Sequence, residues 1–145
     1  MFTNILCPVD FSDDSKRALA AALALARVTD GHLTLVTVVD AFLDAGATAA
    51  GARDTLEAQT QAELHALLER AAAGLTPSRM PAVSIRVGRP APEILAQATE
   101  SNADVIVMGM RGIGGAQKFL LGSTSEQVLA RATVPVLVVP PPDRR

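Results

Sequence analysis

The sequence contains no tryptophan, no tyrosine and only four phenylalanines among its 145 residues. Proteins that hold single-stranded nucleic acid usually stack its bases on aromatic side chains, so this composition argues against that function. The charge balance agrees, because 13 basic and 15 acidic residues give a net charge of −2. No positive patch is expected that would attract DNA, RNA or an anionic membrane. We therefore expect neither nucleic acid nor a membrane as a partner.

Cysteine and long apolar stretches are equally scarce. The single cysteine, Cys7, excludes an internal disulfide and a multi-cysteine metal site. It lies in the apolar run 5–7, which predicts a buried, unreactive thiol. No stretch reaches the ~20 apolar residues of a membrane helix, and the opening MFTNILCPVDFSDD lacks the basic and apolar regions of a signal peptide. We expect a cytoplasmic protein.

Aliphatic residues are abundant, and they gather in five short runs. The runs are rich in valine and isoleucine and apolar at successive positions, which is typical of strands covered on both faces of a parallel sheet. They occupy residues 5–9, 33–39, 83–87, 104–108 and 134–139. Segments with helical spacing separate them, with Ser12 as a cap for the first helix and Pro90 in the first turn of the third. This alternation predicts a single α/β domain with a doubly wound, parallel five-stranded sheet and helices on both faces.

The most unusual stretch follows the fourth run, and ligands in such sheets bind beyond the carboxyl ends of strands. Gly109 and Gly112 lack a Cβ, so the backbone there can turn sharply and present its N–H groups. Gly122 then stands directly before a helix that opens Ser-Thr-Ser-Glu. The free N–H groups and the dipole of a helix start favour phosphate. The segment therefore predicts a phosphate cradle.

Two other interpretations of these residues stay open at this point. Residues 123–126 also match the capping box S-x-x-E, which only completes a helix, and glycines after a strand are ordinary turn residues. The established phosphate loops do not decide the matter. The G-x-x-x-x-G-K-[ST] loop lacks its lysine, and G-x-G-x-x-G is incomplete.

The spacing of the glycines resembles a family motif. Gly109-x2-Gly112-x9-Gly122-Ser123 is similar to G-2x-G-9x-G-[ST], the nucleotide motif of the universal stress protein family. Members that keep these glycines bind ATP, so the resemblance to that branch implies an ATP site here, with Mg²⁺ carried on the phosphates.

The resemblance extends over nearly the whole chain. Residues 7–12 (CPVDFS) resemble the family's opening strand and helix cap, 87–90 (VGRP) its G-x-P turn, and 134–139 (VPVLVV) its closing strand. It implies a universal stress protein domain over residues 1–140, followed by a short tail at 141–145. The implied fold is Rossmann-like, of the adenine nucleotide alpha hydrolase kind.

The resemblance also implies which residues contact the nucleotide. Asp10 and Val38 would border the ribose and adenine, the glycine segment would run past the ribose and phosphates, and the start of the last helix would hold the phosphates. The implied binding residues are Pro8, Val9, Asp10, Val38, Met108, Gly109, Arg111, Gly112, Gly122, Ser123, Thr124 and Ser125. Three roles stay open: Arg111 pairs with phosphate or points to solvent, Asp10 binds ribose or is only solvated, and Val38 lines adenine or belongs to the core.

No catalytic residue is predicted, because the motif segment has no carboxylate aimed at a γ-phosphate, and His32 and His65 lie outside it. We expect a nucleotide-dependent stress-response or signalling module, in which ATP orders residues 113–121 and a protein partner reads the result. The alternatives are a slow ATPase or autophosphorylating protein, and a dimerising scaffold without nucleotide. The family commonly forms homodimers through its last strand, which implicates Val136 and Val138.

Overall fold

A computed structural model describes residues 1–40, 50–111 and 121–142, without the side chains of residues 50–53. In chain order the elements are β1 (Asn4–Pro8), α1 (Asp13–Thr29), β2 (His32–Asp40), α2 (Ala50–Ala71), a 3₁₀ turn (Pro77–Arg79), β3 (Ala82–Gly88), α3 (Pro90–Glu100), β4 (Val105–Gly109), α4 (Ser123–Arg131) and β5 (Val136–Val139). The strands form one parallel sheet in the order β3-β2-β1-β4-β5. The predicted doubly wound, five-stranded α/β fold is confirmed.

The strand residues alternate between two cores, one on each face of the sheet. One core lies under α1 and α2, and the other lies under α3 and α4. Along β1, Ile5 and Cys7 enter the first core, whereas Leu6 enters the second. Because both faces of β1 are covered, its sequence is apolar at every position rather than at every second one.

Two expectations drawn from what the sequence lacks can be compared with this fold. Cys7 is buried, and burial raises the pKa of its thiol to about 12, so the thiol is protonated as expected for an unreactive core residue. Among the helices in the described ranges, none is both long enough and apolar enough to cross a membrane.

The two edge strands are only half-buried and differ in chemistry. On β3, Arg86 forms salt bridges with Glu93 at 2.6 Å and Glu100 at 2.8 Å, both from α3. β5 carries only aliphatic residues, and Leu137 is 46% exposed. Charged groups beside an edge discourage pairing with another strand, so β5 is the edge better suited to it.

Three predicted helix starts are confirmed, including that of α4 at Ser123. The Oγ of Ser12 accepts the N–H of Ser15 at 3.2 Å and caps α1, and Pro90 opens α3. The capping box, however, does not form. Gly122 is the N-cap of α4 and makes no side-chain cap, because Ser123 lies one position inside the helix.

Candidate functional site

A cleft opens where the strand order reverses. The chain leaves β1 towards β2 on one side of the sheet and later places β4 on the other side of β1. Ligands of doubly wound sheets bind beyond the carboxyl ends of the strands at this reversal. The cleft there is lined by Pro8, Val9, Asp10, Ser15, Val36, Val38, Pro90, Ile94, Met108, Gly109, Arg111, Thr124 and Ser125.

Most of the residues predicted from the sequence line this cleft. Gly122 and Ser123 do not line it but stand at the start of α4, directly before Thr124, which does. Gly112, the segment 113–120 and the tail residues 143–145 lie outside the described residues.

The cleft also contains residues that the sequence interpretation missed, among them Ser15, Val36 and Ile94. Strand register could have found Val36, because it lies opposite Pro8 in the β1–β2 pair. No comparable signal exists for Ser15 and Ile94. They belong to α1 and α3, and only the packing of those helices on the sheet brings them to the cleft.

A larger cleft of about 490 Å³ lies elsewhere, compared with about 110 Å³ for the candidate site. It lies near His32, the first residue of β2, between the last turns of α1 and α2. Helix C-termini carry the negative end of the dipole and disfavour phosphate. Two arginines, Arg27 and Arg79, also line the larger cleft, so it is the position of the smaller cleft at the reversal of strand order that favours it as the ligand site.

The turn between β1 and α1 brings Asp10 to the cleft in a strained conformation. Phe11 has φ +66°, a left-handed conformation that is unusual for a bulky side chain. The carboxylate of Asp10 accepts the N–H of Ser12 at 3.0 Å and also its hydroxyl, while the N–H of Asp10 donates to Oγ of Ser15 at 3.3 Å. Such strain costs on the order of 1–3 kcal/mol and is concentrated at functional sites.

The start of α4 is tied to the end of β4. Ser125 is 3% exposed, and its Oγ donates to the carbonyl oxygen of Gly109 at 2.9 Å, so its hydroxyl proton is used inside the protein. The main-chain N–H of Glu126 makes a helical bond to Gly122 at 2.9 Å. The N–H groups of residues 123–125 precede that bond and have no acceptor within the helix. Thr124 and Ser125 of this first turn line the cleft, so the positive end of the helix dipole lies beside it and marks its polar end.

Arg111 lines the cleft, so its contact with phosphate stays a prediction, and it also makes a contact that the sequence did not indicate. It is bound to Asp14, a residue that the sequence interpretation did not select. Burial of Asp14 by itself would raise the pKa of its carboxyl. Hydrogen bonds from Arg111 and the charges of Arg111 and Arg17 outweigh that effect and hold the pKa below its ordinary value. Asp14 is therefore ionised at neutral pH.

Gly109 has a packing role as well as a place in the motif. A Cβ added to Gly109 would lie 2.8 Å from the main-chain carbon of Asp14 and 2.9 Å from its main-chain oxygen. Real Cβ atoms do not approach backbone that closely, so the missing side chain allows α1 to lie against the end of β4. The sequence argument gave this glycine a sharp turn, exposed N–H groups and a contact with the nucleotide, but no role in packing.

The crossover topology and the cleft at the β1–β4 reversal define a doubly wound α/β protein of the Rossmann-like class. The family model of the universal stress protein family matches residues 1–140. The chain therefore belongs to the universal stress protein family.

Individual relatives agree with this assignment. The "Universal stress protein in QAH/OAS sulfhydrylase 3'region" of Thermus aquaticus is 37% identical, over 96% of this chain and 99% of its own length. The solved structure of hypothetical protein MJ0577 superimposes with a TM-score of 0.81 at 26% identity, covering 99% of both chains. A universal stress protein crystallised in complex with cAMP has a TM-score of 0.64 at 26% identity, covering 94% of each chain.

Proposed function

We propose that this protein binds ATP in the cleft at the β1–β4 reversal and serves in the cytoplasm as a nucleotide-dependent stress-response or signalling module. The observation that carries the proposal is that nine of the twelve residues predicted to bind the nucleotide line one cleft. Gly109 ends β4 and Arg111 follows it, Asp10 follows β1, and Thr124 belongs to α4. The related structure that holds cAMP supports an adenine nucleotide as the class of ligand.

The chemistry of the cleft is divided in the way that a nucleotide requires. Val36, Val38 and Ile94 provide aliphatic surface for the flat adenine ring. The carboxylate of Asp10 can accept hydrogen bonds from ribose hydroxyls. The N–H groups of residues 123–125 and the helix dipole favour phosphate at the other end.

Magnesium would be brought by the nucleotide rather than held by a protein cage. Within the described part of the chain, no group of three or more histidine, cysteine or acidic residues is placed to hold a metal ion. Mg²⁺ commonly binds through substrate phosphates and retains several waters. We therefore propose MgATP as the form that binds.

ATP should stabilise the folded protein measurably. At 100 times its Kd, a ligand that binds only the native state adds about 2.7 kcal/mol to the free energy of unfolding. For a domain of this size we expect the melting temperature to rise by about 5–10 °C. Melting curves with MgATP measure the shift, and MgGTP at the same concentration serves as the control for adenine recognition. No shift at millimolar MgATP would contradict the site and favour a nucleotide-free scaffold.

We propose binding without efficient turnover. The carboxylate of Asp10 is bonded to Ser12, and that of Asp14 is held by Arg111 and Arg17. No histidine is among the described residues that line the cleft. A single-turnover assay with labelled ATP distinguishes this from the enzymatic alternative. Phosphate release, or labelling of the protein, at around 1 s⁻¹ would fall in the range of ordinary enzymes and contradict the proposal.

We also propose a homodimer that pairs two copies of β5. This edge strand is entirely aliphatic, whereas the other edge is flanked by the ion pairs of Arg86. Val136 and Val138 pack against the core under α3 and α4. Pairing would therefore use the main chain of β5 and the exposed side chain of Leu137 more than these two valines.

Leu137→Lys should convert the dimer to a monomer. A charge on an edge strand discourages pairing with another edge, and Leu137 is 46% exposed, so the substitution should leave the monomer folded. Light scattering after size-exclusion chromatography measures the mass, which should halve. Val28→Lys is the matched control, because Val28 is 84% exposed on α1 and should leave the mass unchanged. A monomeric wild type, or a Leu137→Lys dimer, would contradict this interface.

A further inference from the structure

Asp14 does not line the cleft, yet it holds one of the residues that do. Its carboxylate oxygen Oδ2 accepts the main-chain N–H of Arg111 at 3.1 Å and the side-chain Nε at 3.1 Å. Its other oxygen accepts Nη2 of the same guanidinium at 3.3 Å. Asp14 is only 4% exposed. One buried carboxylate thus fixes both the main chain and the side chain of Arg111.

The residue so fixed lies at the polar end of the cleft. The carbonyl oxygen of Met110, the residue before Arg111, accepts the N–H of Gly122 at 2.8 Å. Gly122 is the N-cap of α4, and Thr124 and Ser125 of the first turn of that helix line the cleft. A continuous set of contacts therefore runs from Asp14 through residues 110–111 to the start of α4.

We propose that Asp14 is a positioning residue for the phosphate end of the nucleotide site, acting through Arg111 without touching the ligand. This inference depends on the ATP site proposed above. Asp14 sets the course of the chain as it leaves β4 and keeps the guanidinium from turning into the cleft. The donors at the start of α4 then stay spaced for a phosphate chain.

If the charge of Asp14 were all that mattered, removing its carboxylate should strengthen ATP binding, whereas loss of a positioning residue should weaken it. Arg17 also contacts Asp14, so two cations share one anion beside the cleft. Asp14→Asn removes the negative charge, which strengthens the attraction of the site for a polyanion. Positioning predicts weaker ATP binding and simple charge predicts tighter binding. The sign of the change therefore separates the two.

Isothermal titration of Asp14→Asn with ATP and with adenosine tests the proposal. We expect ATP affinity to fall about tenfold, which corresponds to about 1.4 kcal/mol, and adenosine affinity to change by less than about twofold. Adenosine has no phosphate, so damage to the whole cleft would weaken both ligands equally. Arg111→Lys keeps the positive charge but loses the paired hydrogen bonds that Nε and Nη2 donate to the carboxylate of Asp14. This variant should show the same selective loss of ATP affinity.

Asp13→Asn is the matched control, because Asp13 is exposed in the same first turn of α1 and carries the same charge. It should bind both ligands as the wild type does. Unchanged or tighter ATP binding by Asp14→Asn, or an equal loss of ATP and adenosine, would overturn the positioning role while the ATP site stood. Failure of the wild-type protein to bind ATP, whether or not it binds adenosine, would instead overturn the proposed function and this inference with it.

Discussion

Gly122→Val is expected to lower the affinity for ATP by about 100-fold or more, a loss of about 2.7 kcal/mol in binding free energy. Gly122 immediately precedes the N–H groups of residues 123–125, so a branched side chain there would occupy space that phosphate needs. The fold should be spared, because Gly122 has φ −66° and ψ 157°, an extended conformation that valine adopts readily. Titration calorimetry with ATP measures the loss, and a melting curve without nucleotide measures the stability.

The matched control for this variant is Ala130→Val, which adds valine at an exposed position of the same helix, one residue before its other end. It should keep wild-type affinity. Gly122→Val protein that still binds ATP as tightly as the wild type would contradict the placement of phosphate at the start of α4. Loss of folding in the absence of nucleotide would show instead that Gly122 is needed for the structure.

The fold was predictable because its signals are local. Both faces of β1 and β4 are buried, so their sequences are apolar at successive positions, and the intervening helices carry their own start signals at Ser12 and Pro90. The rule that places ligands at the reversal of strand order then located the cleft. The glycine motif supplied the residues that follow β4, and the resemblance of residues 7–12 to the family supplied those that follow β1.

The contacts within the site were not predictable in this way. Asp14 and Arg111 are 97 positions apart in the chain, and neither residue carries a local sign of the other. The capping box failed although the four letters of residues 123–126 fit it, because α4 begins one residue earlier than the motif requires, with Gly122 as its N-cap. A letter pattern alone does not fix the residue at which a helix begins.

Gly109→Ala is expected to destabilise the fold by about 1–3 kcal/mol, the usual cost of adding a methyl group where packing leaves no room. The new Cβ would meet the main-chain carbon and oxygen of Asp14 at 2.8–2.9 Å, and backbone of a helix cannot move aside as a flexible side chain can. Helix α1 would have to shift away from β4. We expect the melting temperature to fall by about 3–10 °C in the absence of nucleotide, as measured by calorimetry.

Gly74→Ala provides the comparison that identifies the cause. Gly74 has φ +88° and no atom within 4 Å of an added Cβ, so alanine there incurs only the cost of a left-handed backbone, roughly 1–2 kcal/mol. The two variants should differ in their affinity for ATP, because in Gly109→Ala the shift of α1 also moves Asp14 and with it Arg111. Gly109→Ala should therefore bind ATP more weakly than the wild type even at temperatures where the variant is fully folded, whereas Gly74→Ala should bind ATP normally. Equal stability of Gly109→Ala and wild type would show that α1 does not lie as close to β4 as described.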